Sequence, residues 1–181
     1  MKKVLFLFLF SYSSLLSAQA FYSEKGNVIF ISKAPLSEFE GESSNLNGLV
    51  DLDKNLLDFY LDLNTLDTGI GLRDRHMREN YLETEEFPFA EFTGKINELP
   101  ELVEGEKVAV KALGKFTIHG QEREIEVNGF LTLLDPDEIL LEASFEILLS
   151  DYDIPLPKLV FYELAENQSV KLSATLNKKN D

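Results

Sequence analysis

The densest group of side chains able to do chemistry lies in one short stretch, where basic residues crowd together in an acidic chain. Arg73, Arg75, His76 and Arg78 fall within six residues, with Asp74 among them. Guanidinium groups bind carboxylates and phosphates through paired hydrogen bonds, so this stretch is a candidate seat for an anionic head group. Asp74 and Arg78 are spaced i, i+4, which also predicts simple pairing along one helical turn.

Elsewhere the sequence lacks the patterns on which common enzymes depend. No serine lies in a G-x-S-x-G turn, and there is no glycine-rich phosphate loop. Cysteine is absent and there are only two histidines, which disfavours thiolate nucleophiles, disulfides and histidine-rich metal sites. His119 precedes Gly120 in a predicted turn, where a structural role is expected. We therefore expect no enzymatic activity, no metal site and no cofactor beyond a bound ligand.

The net charge of −15 limits the possible partners. Nucleic acids and anionic membrane surfaces are poor partners for so acidic a chain. At the N-terminus, Lys2 and Lys3 precede an apolar stretch over residues 4–16, and Ala18-Gln19-Ala20 resembles a cleavage site. We expect a signal peptide over residues 1–20, a periplasmic or secreted protein and no stable membrane insertion. A membrane anchor is the weaker interpretation, because the apolar run is shorter than the roughly 20 residues that span a bilayer.

The rest of the chain alternates with the period-2 pattern of half-buried strands. One strand is predicted where Leu57, Phe59 and Leu61 alternate with acidic residues, and another around Val28 and Phe30. A polar loop is predicted after that, over residues 35–45. About eight strands joined by short turns favour an all-β fold, an antiparallel barrel in a single domain over residues 21–181.

Residues 67–92 interrupt the alternation and predict one short helical insertion. Asp67 or Thr68 is predicted to cap the helix, and Ile70, Met77 and Tyr81 fall on one face of it. The insertion is either a structural helix that closes one end of the barrel or a lid with a cationic rim. For the second interpretation, the gate or head-group candidates are Arg73, Arg75, His76, Met77 and Arg78.

A barrel of about eight strands is either filled by its own side chains or holds one small ligand. At the alternate strand positions whose side chains point into the barrel, here called the inward parity, small residues are mixed with large ones. The small residues either leave volume for an apolar ligand or let the strands bend and pack. Both interpretations remain open on the residues alone. The predicted pocket wall consists of Val28, Phe30, Phe59, Leu61, Leu63, Phe92, Ala112, Gly114, Phe116, Gly129, Leu131, Ala143, Phe145 and Leu172.

Short motifs are spaced over essentially all of the chain after residue 20. They are Val28 and Phe30, Asp67-Thr68-Gly69, Arg73-Asp74, His76-Met77, Tyr81-Leu82, Phe87-Pro88, Phe92 and the segment 114–120. As a spaced set they resemble the YceI-like family of exported polyisoprenoid-binding proteins. The resemblance implies an extended, lipocalin-like barrel whose lumen holds a long isoprenoid chain, usually in the periplasm, with no catalytic residues.

Two departures from the family pattern indicate a divergent, short subgroup. The first strand begins Gly26-Asn27-Val28, without the Asp and His-Ser that many members have, and residues 151–157 replace a more usual Arg-containing segment. The prediction is an exported protein that holds an isoprenoid, a quinone or another lipid for carriage or sequestration. The alternative is a non-enzymatic interaction or stress-related envelope protein with a filled barrel and no ligand of its own.

Overall fold

The computed structural model describes residues 19–34, 37–156 and 164–178, and within them the chain forms a closed antiparallel barrel. The strands are β1 (Ala20–Ala34), β2 (Ser37–Asp51), β3 (Leu56–Asp62), β4 (Phe89–Ile96), β5 (Lys107–Ile118), β6 (Gln121–Asp135), β7 (Glu138–Leu148) and β8 (Asn167–Lys178). Each strand pairs with its neighbours in the chain, and β1 also pairs with β8. The predicted eight-stranded antiparallel barrel is confirmed. The predicted signal peptide lies outside the described residues except for Gln19 and Ala20, and it stays a prediction.

A single helical insertion, also as predicted, joins β3 to β4. Helix α1 (Gly71–His76) continues as a π-helical segment, Met77–Tyr81. Short 3-10 turns lie at Leu63–Thr65 and Leu149–Tyr152. Because the strands alternate in direction, α1 lies at the same end as the β1–β2 and β5–β6 hairpins. We call this the helix end, and the opposite end, where β1 begins and β8 finishes, the far end.

The polar loop predicted over residues 35–45 is wrong, because β2 already begins at Ser37. Its register against β1 shifts twice. Between paired residues, β1 advances three positions from Ser23 to Gly26 while β2 advances two, from Gly48 to Leu46. β1 then advances two positions to Val28 while β2 advances three, to Ser43. Two compensating bulges of this kind change which parity points inward. The alternation in the sequence is therefore broken in a region that is continuous strand in the structure.

The far end of the barrel is filled by its own side chains. Val50, Leu131, Ile139 and Leu176 are fully buried there and pack in one apolar cluster with Phe21. Close packing of this kind resembles an ordinary protein interior. A cavity of about 350 Å³ lies beside this cluster, lined by Phe21, Leu52, Leu99, Leu133 and other residues of the far end. A larger cavity lies nearer the helix end.

Candidate ligand-binding site

The helix-end half of the barrel contains a cavity of about 530 Å³, lined by the inward faces of the strands and by α1. This volume lies within the range of about 300–1,000 Å³ that small-molecule sites occupy. Six lining residues are exposed, and all of them lie at the helix end. They define the mouth of the cavity: Glu38, Tyr60, Ile70, Leu72, His76 and Glu91.

The polarity of the cavity wall changes from the mouth to the interior. The lining side chains with a polar group all belong to α1, to the segment that follows it or to nearby strand ends: Ser37, Glu38, Tyr60, Arg73, His76, Tyr81, Glu91 and Gln168. Deeper in the barrel the lining side chains are Val, Leu, Ile, Ala and Phe. An amphiphile would therefore find an apolar interior for its tail and polar partners for its head at the mouth.

Most of the predicted wall residues line this cavity, and Gly114 and Leu131 do not. Leu131 lies in the filled far end, because its strand continues past the hollow half of the barrel. Gly114 lies against the backbone of β4: a methyl group there would come within 2.6 Å of Gly94 Cα and Thr93 O, and within 2.7 Å of Phe92 Cζ. These two positions share the inward parity, but neither faces free volume.

Two inward glycines, Gly48 and Gly41, do not open the lumen, because phenylalanine rings already occupy the space above them. A methyl group at Gly48 would lie 2.0 Å from Phe59 Cδ1, and one at Gly41 would lie 2.3 Å from Phe30 Cε1. Each glycine is paired across the ladder with the phenylalanine concerned. The rings thus lie along the wall, which keeps the centre of the barrel free while the wall stays apolar.

A cluster of aromatic rings lies at one side of the cavity, which Phe116 and Phe145 line. Phe116 makes edge-to-face contacts with Phe145, with centroids 5.3 Å apart, and with Tyr152, 5.6 Å apart. Such pairs add a specific geometry to the apolar burial. Burial raises the pKa of the Tyr152 phenol, the nearby charge of Asp151 raises it further, and Arg123 acts in the opposite direction.

The approach to α1 is fixed by a buried carboxylate, and the predicted capping is wrong. The residue before the helix is Ile70, which makes no side-chain cap. Asp67 instead exchanges two backbone hydrogen bonds of 2.9 Å with Glu42 of β2. Buried Asp74 accepts hydrogen bonds from Thr68 N at 2.9 Å and Thr68 Oγ1 at 2.6 Å. Asp74 therefore orients the start of α1.

The gate candidates divide into two groups. Arg73, His76 and Met77 line the cavity, whereas Arg75 is exposed and Arg78 half-buried, both away from the wall. The Arg73 guanidinium lies over the ring of Phe39 on β2, 4.4 Å from its centroid. Among the ion pairs of the described residues none joins Asp74 to Arg78, since the Asp74 carboxylate faces Thr68 instead. The basic side chains of the insertion are thus not gathered around one point.

His119 has the structural role that its position beside Gly120 predicts. Both residues have positive φ, +53° and +70°, as a two-residue hairpin turn requires. The buried His119 ring lies 3.0 Å from Tyr152 O through Nδ1 and 3.0 Å from Glu83 Oε2 through Nε2. It therefore links the β5–β6 hairpin to the segment that follows α1.

Several residues that line the cavity are not among the predicted pocket wall. Leu46, Leu57, Val127 and Leu141 follow the inward parity and could have been found from it. Gln168 follows no pattern. Its Nε2 donates to Ser32 Oγ at 3.2 Å and to the carbonyl of Ala165, and its Oε1 has no hydrogen-bond partner among the described residues.

Two further features concern the described part of the chain only. Within it, no group of three or more His, Asp or Glu side chains is arranged to hold a metal ion. None of its helices has the length and apolar character needed to cross a bilayer.

A closed, eight-stranded antiparallel barrel with an apolar cavity beneath a short helix defines a lipocalin-like class of protein. Residues 21–177 match the YceI-like domain, and the chain belongs to the YceI-like family. No curated protein sequence is significantly similar to it.

Solved structures share the fold at low sequence identity. A polyisoprenoid binding domain from Saccharophagus degradans is 17% identical with a TM-score of 0.76, over 90% of this chain and 99% of that one. BcnA from Burkholderia cenocepacia is 16% identical with a TM-score of 0.68, over 84% and 96%. The YCEI protein of Campylobacter jejuni is 18% identical with a TM-score of 0.63, over 83% and 91%.

Proposed function

We propose that this protein binds a long apolar or amphiphilic ligand in its barrel, an isoprenoid, a quinone or another lipid, for carriage or sequestration. The observation that carries the proposal is the cavity of about 530 Å³, apolar in its interior and polar only at its mouth. Burial of apolar surface stabilises such a complex by roughly 25 cal/mol for each Å² removed from water. A chain-like tail gains most from an interior of this kind.

The charges at the mouth favour an uncharged head group. Arg73 and His76 line it together with Glu38 and Glu91, so positive and negative side chains are mixed there. A pyrophosphate would need several cationic partners, since charge-assisted hydrogen bonds provide most of its binding energy. A quinone or an alcohol needs only a few polar partners. Isoprenoids are the first class to test, because the Saccharophagus relative is described as a polyisoprenoid binding domain.

The proposal includes export. Residues 1–20 have the basic start, apolar stretch and small-residue site of a signal peptide, which supports a periplasmic or secreted location after cleavage. N-terminal sequencing of protein from the envelope fraction tests this part, and a mature chain that begins at Phe21 is expected. An intact N-terminus on protein from the cell interior would contradict it.

The test of binding is the identity of whatever co-purifies with the protein. We expect native mass spectrometry of protein purified without detergent to reveal a bound lipid, and solvent extraction to release it. In Ala143→Phe the new ring enters the cavity, so the bound fraction should fall. The matched control is Ala109→Phe, on the exposed outer face of β5, which should retain the lipid. Absence of lipid from the wild type, together with no uptake of a long-chain isoprenoid alcohol, would overturn the proposal.

No observation favours the filled-barrel alternative. Only the far end is packed by its own side chains, and the helix-end half remains hollow.

A further inference from the structure

The mouth of the cavity has an exposed apolar rim. Ile70 and Leu72, at the start of α1, are 49% and 56% exposed although both line the cavity. Tyr60 and Phe89, on the outer faces of β3 and β4 near the same end, are 46% and 43% exposed, and their rings are in edge-to-face contact at 5.8 Å. Exposed large apolar side chains that cluster at one functional opening mark an interaction site more often than scattered ones do.

Basic side chains accompany this rim, beside the exposed acidic residues Glu38 and Glu91 of the same mouth, in a chain of net charge −15. Arg75 and His76 are both exposed, within four residues of Leu72. Arg75 takes part in no ion pair among the described residues, and its guanidinium is available to phosphate groups. Apolar and aromatic side chains flanked by arginine are the composition of segments that rest in a membrane interface.

We propose that this rim, Tyr60, Ile70, Leu72 and Phe89, docks on the surface of a lipid bilayer, with Arg75 facing lipid phosphates. The inference rests on the proposed function, because a bilayer is where a water-insoluble ligand resides. Docking would place the mouth against the lipid, and the ligand would pass between bilayer and cavity without crossing water. The rim is small, so the contact is transient rather than an insertion.

The overall negative charge does not prevent such a contact. At physiological ionic strength charges are screened beyond about 8–10 Å, so the acidic outer faces of the barrel act weakly on a surface that touches the helix end. The side chains within reach of that surface decide the binding, and Glu38 and Glu91 among them offset part of the attraction of Arg75 and His76. Raising the salt concentration should therefore weaken the arginine contribution and leave the apolar one.

Vesicle co-sedimentation tests the docking surface with lipid-free protein and vesicles of mixed phosphatidylcholine and phosphatidylglycerol. Ile70→Asp/Leu72→Asp should lower vesicle affinity by about tenfold or more, which corresponds to the loss of at least ~1.4 kcal/mol. The matched control is Val103→Asp/Leu134→Asp, which makes the same change at two residues exposed by 47% and 40% at the far end. It should bind vesicles as the wild type does.

A charge-reversal pair tests the role of arginine separately. Arg75→Glu should weaken vesicle binding most at low salt, whereas Lys95→Glu, an equal change on the outer face of β4 toward the far end, should have little effect. Equal losses in the rim and control variants would overturn the proposal, as would a wild type that ignores vesicles. Conversion of a wild-type dimer to a monomer by the rim variant would also overturn it, because the rim would then pair two copies.

The two proposals fail in distinguishable ways. A wild type that takes up an isoprenoid alcohol delivered from cyclodextrin, but does not bind vesicles, rejects the docking surface and retains the cavity. A wild type that binds neither rejects both.

Discussion

At Gly48 the wall of the barrel has no space for even a methyl group, because the ring of Phe59 lies against the backbone. The same arrangement recurs at Gly41 under Phe30. These contacts between single residues determine how much of the lumen the phenylalanine rings occupy. A ring that lies flat on a glycine occupies the wall, and a ring displaced from it would project into the cavity.

We therefore predict that Gly48→Ala lowers the free energy of unfolding by about 1–3 kcal/mol, the usual effect of overpacking. It should also reduce ligand uptake, because Phe59 must move inward. Gly71→Ala is the control: nothing lies within 4 Å of a methyl group there, and Gly71 is helical. It should raise the free energy of unfolding by about 0.4–1 kcal/mol. Chemical denaturation measures both, and a Gly48→Ala protein as stable as the wild type would refute the contact with Phe59.

Tyr152 gives a pH dependence with a definite sign. Its pKa is raised above the ordinary value of 10.0, chiefly by burial. As pH rises through about 10 the unfolded chain loses this proton and the native protein keeps it, so the free energy of unfolding falls. The contribution is fully present at neutral pH. Tyr152→Phe cannot lose a proton, and we predict that it loses less stability than the wild type between neutral pH and pH 11 in urea titrations. Parallel curves for the two proteins would contradict the prediction.

Among the helices and strands, α1 depends for its stability on one buried polar contact more than on its own helical hydrogen bonds. It has only six α-helical residues before the π-helical segment, too few to be stable alone. Asp74 and Thr68 join its first turn to the segment that pairs with β2. The helix that covers the cavity is thus held mainly from its N-terminal side and, beyond its end, through Glu83 and His119.

Thr68→Val removes the hydroxyl bond to the buried carboxylate and preserves the shape of the side chain. We predict a loss of about 1.5–3 kcal/mol in the free energy of unfolding, as for hydrogen bonds to charged groups. Amide hydrogen exchange should also become faster in α1. Thr93→Val is the matched control, since Thr93 Oγ1 donates to Asp58 on the exposed face at 3.0 Å. Its loss should stay below about 1 kcal/mol; equal losses in the two variants would show that burial of Asp74 does not matter.

The position of α1 could be predicted, and its attachment could not. The break in the period-2 pattern after Leu63 and its return near Ala90 locate the insertion correctly. Asp67 and Thr68 have the right composition for a helix cap, but the backbone of Asp67 is occupied by its bridge to Glu42. That bridge joins residues far apart in the sequence, and local pattern does not reveal such a contact.

At the scale of the whole molecule, strand number and barrel closure followed from the alternation, and most of the wall followed from its parity. The extent of the cavity could not be predicted from the alternation. Leu131 and Phe116 follow the same pattern, but Leu131 lies in the filled half of the barrel and Phe116 faces the hollow half. The long β2 was missed where paired bulges interrupt the alternation. Volume and register depend on several strands at once, whereas periodicity is a property of one.

The direction of the strands has a practical consequence for handling the protein. β1 begins and β8 finishes at the far end, where Phe21 pairs with Lys178, while the mouth lies at the opposite end of the barrel. A purification tag, fluorophore or surface linker joined beyond Lys178 would therefore leave the opening unobstructed. Protein attached to a sensor chip through such a linker would have the mouth of its cavity facing the solution, where vesicles can reach it.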